Sequence, residues 1–179
     1  MKRSILITGI AGTGKTSIIN FLQQQGYIAH GIEDIKGICK KINRETGEPI
    51  PRQIRFNLED IKKYDWICDI KAVQDLMQVN RSGLTFYSGT ASNISDLVPL
   101  FDQIFLLQVK KEELARRLTE RVNNYFGKSK EVQKWLFDQQ EEWDQALIKK
   151  GAIPVDATQD IKTLSSTIIE MSKTKRTTN

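Results

Sequence analysis

The chain has 179 residues, a formal net charge of +5 and a pI of about 9.2. That length suits one compact domain, expected over residues 1–179, and is too short for two ordinary ones. With 39% hydrophobic and 27% charged residues it has the balance of a soluble globular protein, and no run approaches the ~18 apolar residues of a bilayer-spanning helix.

In chain order, residues 4–8 read as a short buried strand, because Ile5, Leu6 and Ile7 follow one another without polar interruption. A glycine-rich turn comes next. Residues 17–25 then read as a helix with Ile18, Ile19 and Leu22 on one side and Gly26 as its stop. Residues 27–32 suit a second strand that ends at Glu33-Asp34. The stretch 35–65 is polar and holds Pro49 and Pro51, which predicts a loop-rich segment with short helices. A helix is expected over 69–79, strands over 84–88 and 103–109, and a helix over 112–122 that carries Leu114, Leu118 and Val122. A longer helix over 131–150 presents Val132, Trp135, Leu136, Trp143 and Leu147. A fifth strand over 152–155 and a last helix with Ile161, Leu164, Ile168 and Ile169 complete the chain. Strands alternating with helices predict a three-layer α/β fold on a five-stranded parallel sheet.

The basic first residues are followed by too short an apolar run for a signal peptide, so a cytoplasmic location is expected. Cys39 and Cys68 are not spaced as a metal pair and read as two reduced thiols. His30 is the single histidine, which excludes a multi-histidine metal site. The positive balance suits anionic ligands. No basic stripe with interleaved aromatics is present, so nucleic acid is not an expected partner. Lys173-Thr174-Lys175-Arg176 reads as a frayed, solvated tail.

Gly9-Ile10-Ala11-Gly12-Thr13-Gly14-Lys15-Thr16 matches G-x-x-x-x-G-K-[ST] at every fixed position, with a hydrophobic strand before it and an amphipathic helix after it. The spacing has a physical reason. Glycines let successive backbone N–H groups turn toward phosphate oxygens, and the helix that starts here adds its positive end to the same anion. Gly9, Gly12, Thr13, Gly14, Lys15, Thr16 and Ser17 are therefore the expected nucleoside triphosphate contacts. Lys15 would reach the β- and γ-phosphates, and the Thr16 hydroxyl would ligate Mg2+. A dinucleotide-binding reading of the same glycines, with Glu33 or Asp34 on a ribose, fails on the glycine spacing and leaves Lys15-Thr16 unexplained.

No N-K-x-D or T-K-x-D sequence is present, Lys62-Lys63-Tyr64-Asp65 being the nearest approach, which argues against a GTPase. The strand 84–88 ends in Ser88-Gly89 rather than in an acidic residue, which argues against a large mechanical ATPase.

Over roughly residues 3–172 the chain resembles the P-loop small-molecule kinases of the adenylate kinase, shikimate kinase and gluconate kinase group, including kinase-like ATP-binding proteins of bacteria. Beyond the P-loop the resemblance rests on four places. Glu33-Asp34 stands where those kinases carry an acidic residue after the second strand. Ser88-Gly89-Thr90-Ala91-Ser92-Asn93 is similar to the glycine-rich turn after the third strand. Arg117 and Arg121 resemble paired lid arginines, and Val155-Asp156-Ala157-Thr158-Gln159 resembles the loop that lies along adenine. The resemblance implies an ATP- and Mg2+-using phosphotransferase, with residues 35–80 binding the acceptor and 116–130 forming a lid. It does not name the acceptor.

The catalytic candidates are Lys15, Asp34, Arg117 and Arg121. Asp34 would orient an acceptor hydroxyl and take its proton. Arg117 and Arg121, four apart on the expected helix, would clamp phosphates, although Glu113 and Glu120 could equally pair with them. Asp156, Ala157 and Thr158 are further nucleotide contacts. Glu33, Asp34, Gly89, Thr90 and Asn93 are acceptor contacts, and Ser88 joins Thr16 at the metal. Lys128, after Asn123 and Asn124, could bring a further cation from a flap. Trp66 could stack on an acceptor, although Tyr64/Trp66 and Trp135/Trp143 read first as core pairs. A nucleoside or nucleotide kinase, and a regulator that hydrolyses ATP slowly, are alternative readings. A monomer or a homodimer fits either, with a small-molecule acceptor and no membrane.

Overall fold

A computed structural model of the chain describes residues 2–50, 57–79, 83–122 and 125–174. The expectations for Pro51, Asn123, Asn124, Lys175 and Arg176 lie outside them. In chain order the elements are β1 (Arg3–Thr8), α1 (Lys15–Gln24), β2 (Ile28–Gly31), β3 (Cys39–Asn43), β4 (Pro49–Ile50), α2 (Leu58–Lys63), β5 (Tyr64–Cys68) and α3 (Ile70–Val79). They continue with β6 (Leu84–Ser88), α4 (Ile94–Leu97), β7 (Gln103–Gln108), α5 (Lys111–Glu120), α6 (Lys130–Lys149), β8 (Ile153–Asp156) and α7 (Ile161–Lys173).

A strand that is apolar at every position needs cover on both faces. In β1, Ile5, Leu6 and Ile7 are all fully buried. The strand is central in a five-stranded sheet of order β2-β6-β1-β7-β8, parallel throughout. Ile5 and Ile7 share one core with Ile18 and Leu22 of α1, Leu114 and Leu118 of α5, and Ile168 of α7. Leu6 joins a second core on the opposite face, with Val73 of α3, Tyr87 of β6, Leu97 of α4 and Leu147 of α6. The expected three-layer α/β architecture is present. From β1 the chain runs out to β2 through α1 on one face, returns to β6 with α3 on the other face, and then adds β7 and β8 on the far side of β1. The carboxyl end of β1 is therefore the switch point where such folds hold ligands.

Residues 35–65 depart from the expected loop. Within and just beyond it, β3, β4 and β5 build a second sheet, antiparallel, of order β4-β3-β5. Its register sets Cys39 opposite Cys68, Lys41 opposite Trp66, and Asn43 opposite Tyr64. The Asn43 Oδ1 atom accepts from the Glu45 and Thr46 amides at 2.8 and 3.3 Å and starts the turn that returns the chain. The strand β3 escapes an apolar-pattern reading because its most buried residue is Lys41, only 5% exposed. Of the expected short helices, α2 forms, with a capping box between Asn57 and Asp60. The α3 helix packs into the second core rather than onto the small sheet.

The reading of Cys39 and Cys68 as reduced thiols is corrected: the two are joined in a disulfide, across a register pair whose Cα atoms lie 4.0 Å apart. A separation of 29 residues in sequence gives no hint of that pairing. Only the strand register brings the two together.

The helix expected over 112–122 stops at Glu120. Arg121 turns extended (ψ 137°), and Val122 is solvent-facing rather than in the core. Trp135 and Trp143 do pair edge to face, with ring centroids 5.6 Å apart. Trp135 packs against the first core, whereas Trp143 is exposed.

Two consequences can be measured. With the disulfide intact, a thiol reagent should find no reactive cysteine in the native chain. Reduction, or the Cys39→Ala/Cys68→Ala pair, should cost roughly 3–4 kcal/mol by the loop-entropy model and lower Tm. A native chain that titrates two thiols would refute the bridge. The second consequence concerns Asp144, buried in α6, whose carboxylate accepts from Gln108 Nε2 at 2.9 Å. Burial pushes its pKa above the ordinary value, with the hydrogen bonds from Gln108 and Gln140 opposing that shift. The ionised form therefore opposes folding above the folded-state pKa, and stability returns as the pH falls through that value. Asp144→Asn should raise Tm at pH 8 and leave it nearly unchanged at pH 4, and a lower Tm at pH 8 would contradict this account.

Candidate functional site

The turn after β1 is shaped by what it must fit between. Gly9 and Gly12 have φ of 146° and 90°, a region that side chains rarely adopt. Space adds a second reason. A Cβ on Gly9 would lie 2.8 Å from the Leu107 carbonyl oxygen. One on Gly12 would lie 2.8 and 2.9 Å from Leu114 and Leu118 of α5. Thr13 pins the loop by donating from Oγ1 to the Ile10 carbonyl at 2.9 Å.

Gly14 then starts α1 in a left-handed conformation with no side-chain cap, and the first turn of α1 carries no acidic residue. The other described helices of comparable length are supplied. Asp69 serves α3, Glu112 and Glu113 lie in the first turn of α5, Ser129 caps α6 and Asp160 caps α7. The first amides of α1 are left for an outside anion. Thr16 and Ser17 are exposed in that first turn.

Lys15 is half-buried and folds back, donating to the Gly9 and Ile10 carbonyls at 2.7 and 3.2 Å. Burial lowers its pKa, the Arg121 charge lowers it further, and the Glu33 and Asp34 charges raise it. Lys15 thus feels the charges of Glu33 and Asp34, just after β2, and of Arg121, just beyond α5. Arg121 is the odd member. Its Nε and Nη2 are buried without a hydrogen-bond partner among the described residues, and burial lowers its pKa. A buried guanidinium with unfilled donors is costly unless an anion arrives.

Arg117 and Arg121 do not share a helix face, because α5 has already ended. Arg117 Nε donates to Glu113 at 2.7 Å and Nη2 to the Ala157 carbonyl at 3.0 Å. Its Nη1 stands 3.9 Å from where a Cβ on Gly14 would sit. It therefore bridges α5, the P-loop and the loop after β8. Glu120 pairs with Arg116 instead. In the loop after β8, Asp156 accepts from the Thr158 amide and hydroxyl at 2.9 and 2.6 Å, and both residues are exposed. Ala157 is buried.

Glu33 and Asp34 part company. The Glu33 carboxylate accepts from the Thr90 amide at 2.7 Å and so ties the turn after β2 to the turn after β6. Gly89 allows this, since a Cβ there would lie 2.4 Å from Ile32. Asp34 is exposed, with its carboxylate against Gly31. It lines two cavities. One, of about 230 Å3, is shared with Thr16, His30 and Ser88. The other, of about 330 Å3, is shared with Lys36, Lys40, Lys41 and Trp66. Asn93 faces elsewhere: its amide brackets Cys68, accepting from the backbone N–H and donating to the carbonyl, both at 3.0 Å. Its neighbour Ser92 accepts from the Trp66 amide. Lys128 lies over the Tyr125 ring at 5.1 Å.

Sequence reasoning missed Lys41. It lies buried in the second cavity, with Nζ 4.4 Å over the Tyr64 ring. Only its alternation with Cys39 in a recognised strand would have pointed to it.

The donor set in the first cavity fits Mg2+. Thr16, Ser88 and Asp34 offer hard oxygen atoms. Among the described residues no three His, Cys, Asp or Glu side chains gather as a metal cage.

No protein-family model matches the chain, and no curated protein does. Solved structures do. Shikimate kinase from Acinetobacter baumannii, in complex with shikimate, superposes with a TM-score of 0.63 at 14% identity, over 99% of this chain and 97% of that one. Deoxyadenosine kinase from M. mycoides, with bound dATP, gives 0.54 at 16% identity over 96% and 100%. A gluconokinase from Sinorhizobium meliloti 1021 gives 0.53 at 16% over 96% and 94%. At these identities the likeness establishes the fold, and the fold is that of the P-loop small-molecule kinases.

Proposed function

We propose that the chain is a Mg2+-dependent kinase that transfers the γ-phosphoryl group of ATP to a hydroxyl of a small acceptor. The observation that carries this reading is the place of Asp34, on the wall common to the cavity of Thr16 and Ser88 and to the cavity of the small sheet. A carboxylate there can address both a nucleotide's last phosphate and an acceptor's hydroxyl.

In this reading the P-loop amides and the uncapped start of α1 hold the phosphates. Lys15 leaves the Gly9 and Ile10 carbonyls to follow the β- and γ-oxygens. Thr16 and Ser88 would hold Mg2+, which supplies charge neutralisation at the phosphates when bound. Asp34 orients the acceptor O–H toward the γ-phosphorus. The new P–O bond forms as the bond to ADP breaks, and the acceptor's proton passes to Asp34. Arg121 meets the transferred charge. Arg117 positions the loop of Asp156, Ala157 and Thr158 along the base. Glu33 and Asn93 brace the turns around the acceptor, while Gly89 and Thr90 stay beside it. We assign the work to one domain with its acceptor module in 35–80 and its lid in 116–130, and to the cytoplasm. No described helix is long and apolar enough to cross a membrane.

ATP consumption with Mg2+ should be followed over sugar acids, nucleosides, nucleotides and shikimate-like alcohols, beside Lys15→Ala and Asp34→Asn. One acceptor class should raise turnover, and Asp34→Asn should lower kcat by about 100-fold or more. ATP binding without any acceptor-dependent turnover, and an Asp34→Asn variant equal to the parent, would replace the kinase with a nucleotide-binding regulator.

Arg121→Met separates binding from stability. It removes a buried, unsatisfied charge and keeps an apolar stem, so the free chain should melt at the same temperature or higher. ATP should bind about 10- to 100-fold more weakly. A lower Tm with unchanged ATP affinity would show Arg121 to be structural.

A further inference from the structure

The excursion that builds the small sheet departs from the rest of the fold and returns to it through a narrow neck. Cys39 opens β3 and Cys68 closes β5, and the bridge joins them there. They are the only cysteines in the chain. Beside them the Asp69 amide donates to the Ile38 carbonyl at 2.7 Å. The two sulfurs have different surroundings. Cys68 is 1% exposed, belongs to the second core and has its backbone bracketed by the Asn93 side chain. Cys39 is half-buried and lines the second cavity with Glu33 and Asp34. Its Sγ stands 3.7 Å from the carbonyl oxygen of Ile32, which immediately precedes Glu33.

The small sheet has little apolar burial of its own. Across β3, β4 and β5 the buried residues are Lys41 and Cys68, and β4 is two residues long. An antiparallel sheet of that size and composition is marginal by itself. The parallel sheet has no such dependence, since β1 and β6 bury every residue but their first. Opening the bridge therefore acts on the small sheet before it acts on the rest. The open form also has a place for its thiol, because a Cys39 S–H can donate to the Ile32 carbonyl.

We propose that Cys39 and Cys68 form a reversible thiol–disulfide switch that sets how firmly the small sheet walls the second cavity. The reductant is a thiol of the glutathione or protein-dithiol class, and it enters at Cys39 because Cys68 is enclosed. Its thiolate attacks the Cys39 Sγ and forms a mixed disulfide. The electron pair of the broken S–S bond leaves on the Cys68 Sγ, which takes up a proton. A second thiolate then attacks the reductant's sulfur and releases Cys39 as a thiol, so the reductant departs as its own disulfide. Two electrons and two protons have passed to the chain, and oxidation by a disulfide of the same class is the reverse. The switch involves no phosphoryl transfer and stands apart from the kinase reading.

The native chain is equilibrated in mixtures of reduced and oxidised glutathione, and its free thiols are counted by alkylation. The count should pass from none to two, and back again when the mixture is reversed. Hydrogen exchange of residues 39–43 and 64–68 should quicken ~10-fold or more on reduction, while residues 3–8 and 84–88 keep their protection. The Cys39→Ser/Cys68→Ser pair should show the reduced pattern in every mixture. Single variants test the point of entry. In Cys68→Ser, the remaining Cys39 should form a mixed disulfide with oxidised glutathione at least ~10-fold faster than Cys68 does in Cys39→Ser. A bridge that no mixture opens in the folded chain overturns the switch. So does exchange that is equal in both states, or that rises in residues 3–8 together with the small sheet, which would make the bridge a staple of the whole fold. Cys68 reacting as fast as Cys39 would overturn the entry at Cys39.

Discussion

Positive charge gathers at the carboxyl end of β1 from three sources that do not neutralise one another. The first turn of α1 exposes amides with no cap, Lys15 has only backbone carbonyls as hydrogen-bond partners, and Arg121 is buried with donors unfilled. Like charges held together in partial burial raise the energy of the folded chain. The rest of the molecule has to hold them there. The glycine turn does so through packing, because Gly12 lets the loop lie directly on Leu114 and Leu118. The central position of β1, with both faces covered, fixes where that turn begins. An anion with several oxygens relieves all three sources at once.

The same packing ties the turn after β1 to α5 and to the residue that follows it. The α5 helix supplies the leucines under Gly12, the Arg117 that reaches the Ala157 carbonyl, and, one residue beyond its end, Arg121. The salt bridges of Arg116 with Glu113 and Glu120 lie on its solvent side and contribute little in water. What matters is the inner side of the helix. A shift of α5 changes the P-loop floor, the loop after β8 and the buried guanidinium together.

Much of this could be read in the sequence, and what could not has physical causes. The parallel sheet was legible because residues such as Ile5-Leu6-Ile7 and Ile104-Phe105-Leu106-Leu107 are apolar throughout. The P-loop was legible because its glycines answer to backbone geometry, which is local. The small sheet was hidden because β3 buries a lysine instead of an aliphatic residue, so its alternation cannot be seen in hydropathy. The Cys39–Cys68 bridge was hidden because it depends on register between strands, not on spacing. Arg121 was placed on a helix by its spacing from Arg117. The chain turns extended there, and the two arginines separate into one paired with Glu113 and one whose buried Nε and Nη2 have no hydrogen-bond partner among the described residues.

The division of labour between Glu33 and Asp34 follows from their position at the seam of the two sheets. Ile32 donates its backbone N–H to the Ser88 carbonyl at 2.8 Å, and Glu33 takes the Thr90 amide, so the turn after β2 is stitched to the turn after β6. That stitching leaves Asp34 as the first carboxylate free to face outward, just before the chain departs into the small sheet. What lies on the P-loop side of Asp34 is set by the parallel sheet and its glycines. What lies on its other side is set by the small antiparallel sheet, whose β3–β5 register the Cys39–Cys68 bridge holds. Asp34 lines a cavity on each side and so marks the point where the two sheets adjoin.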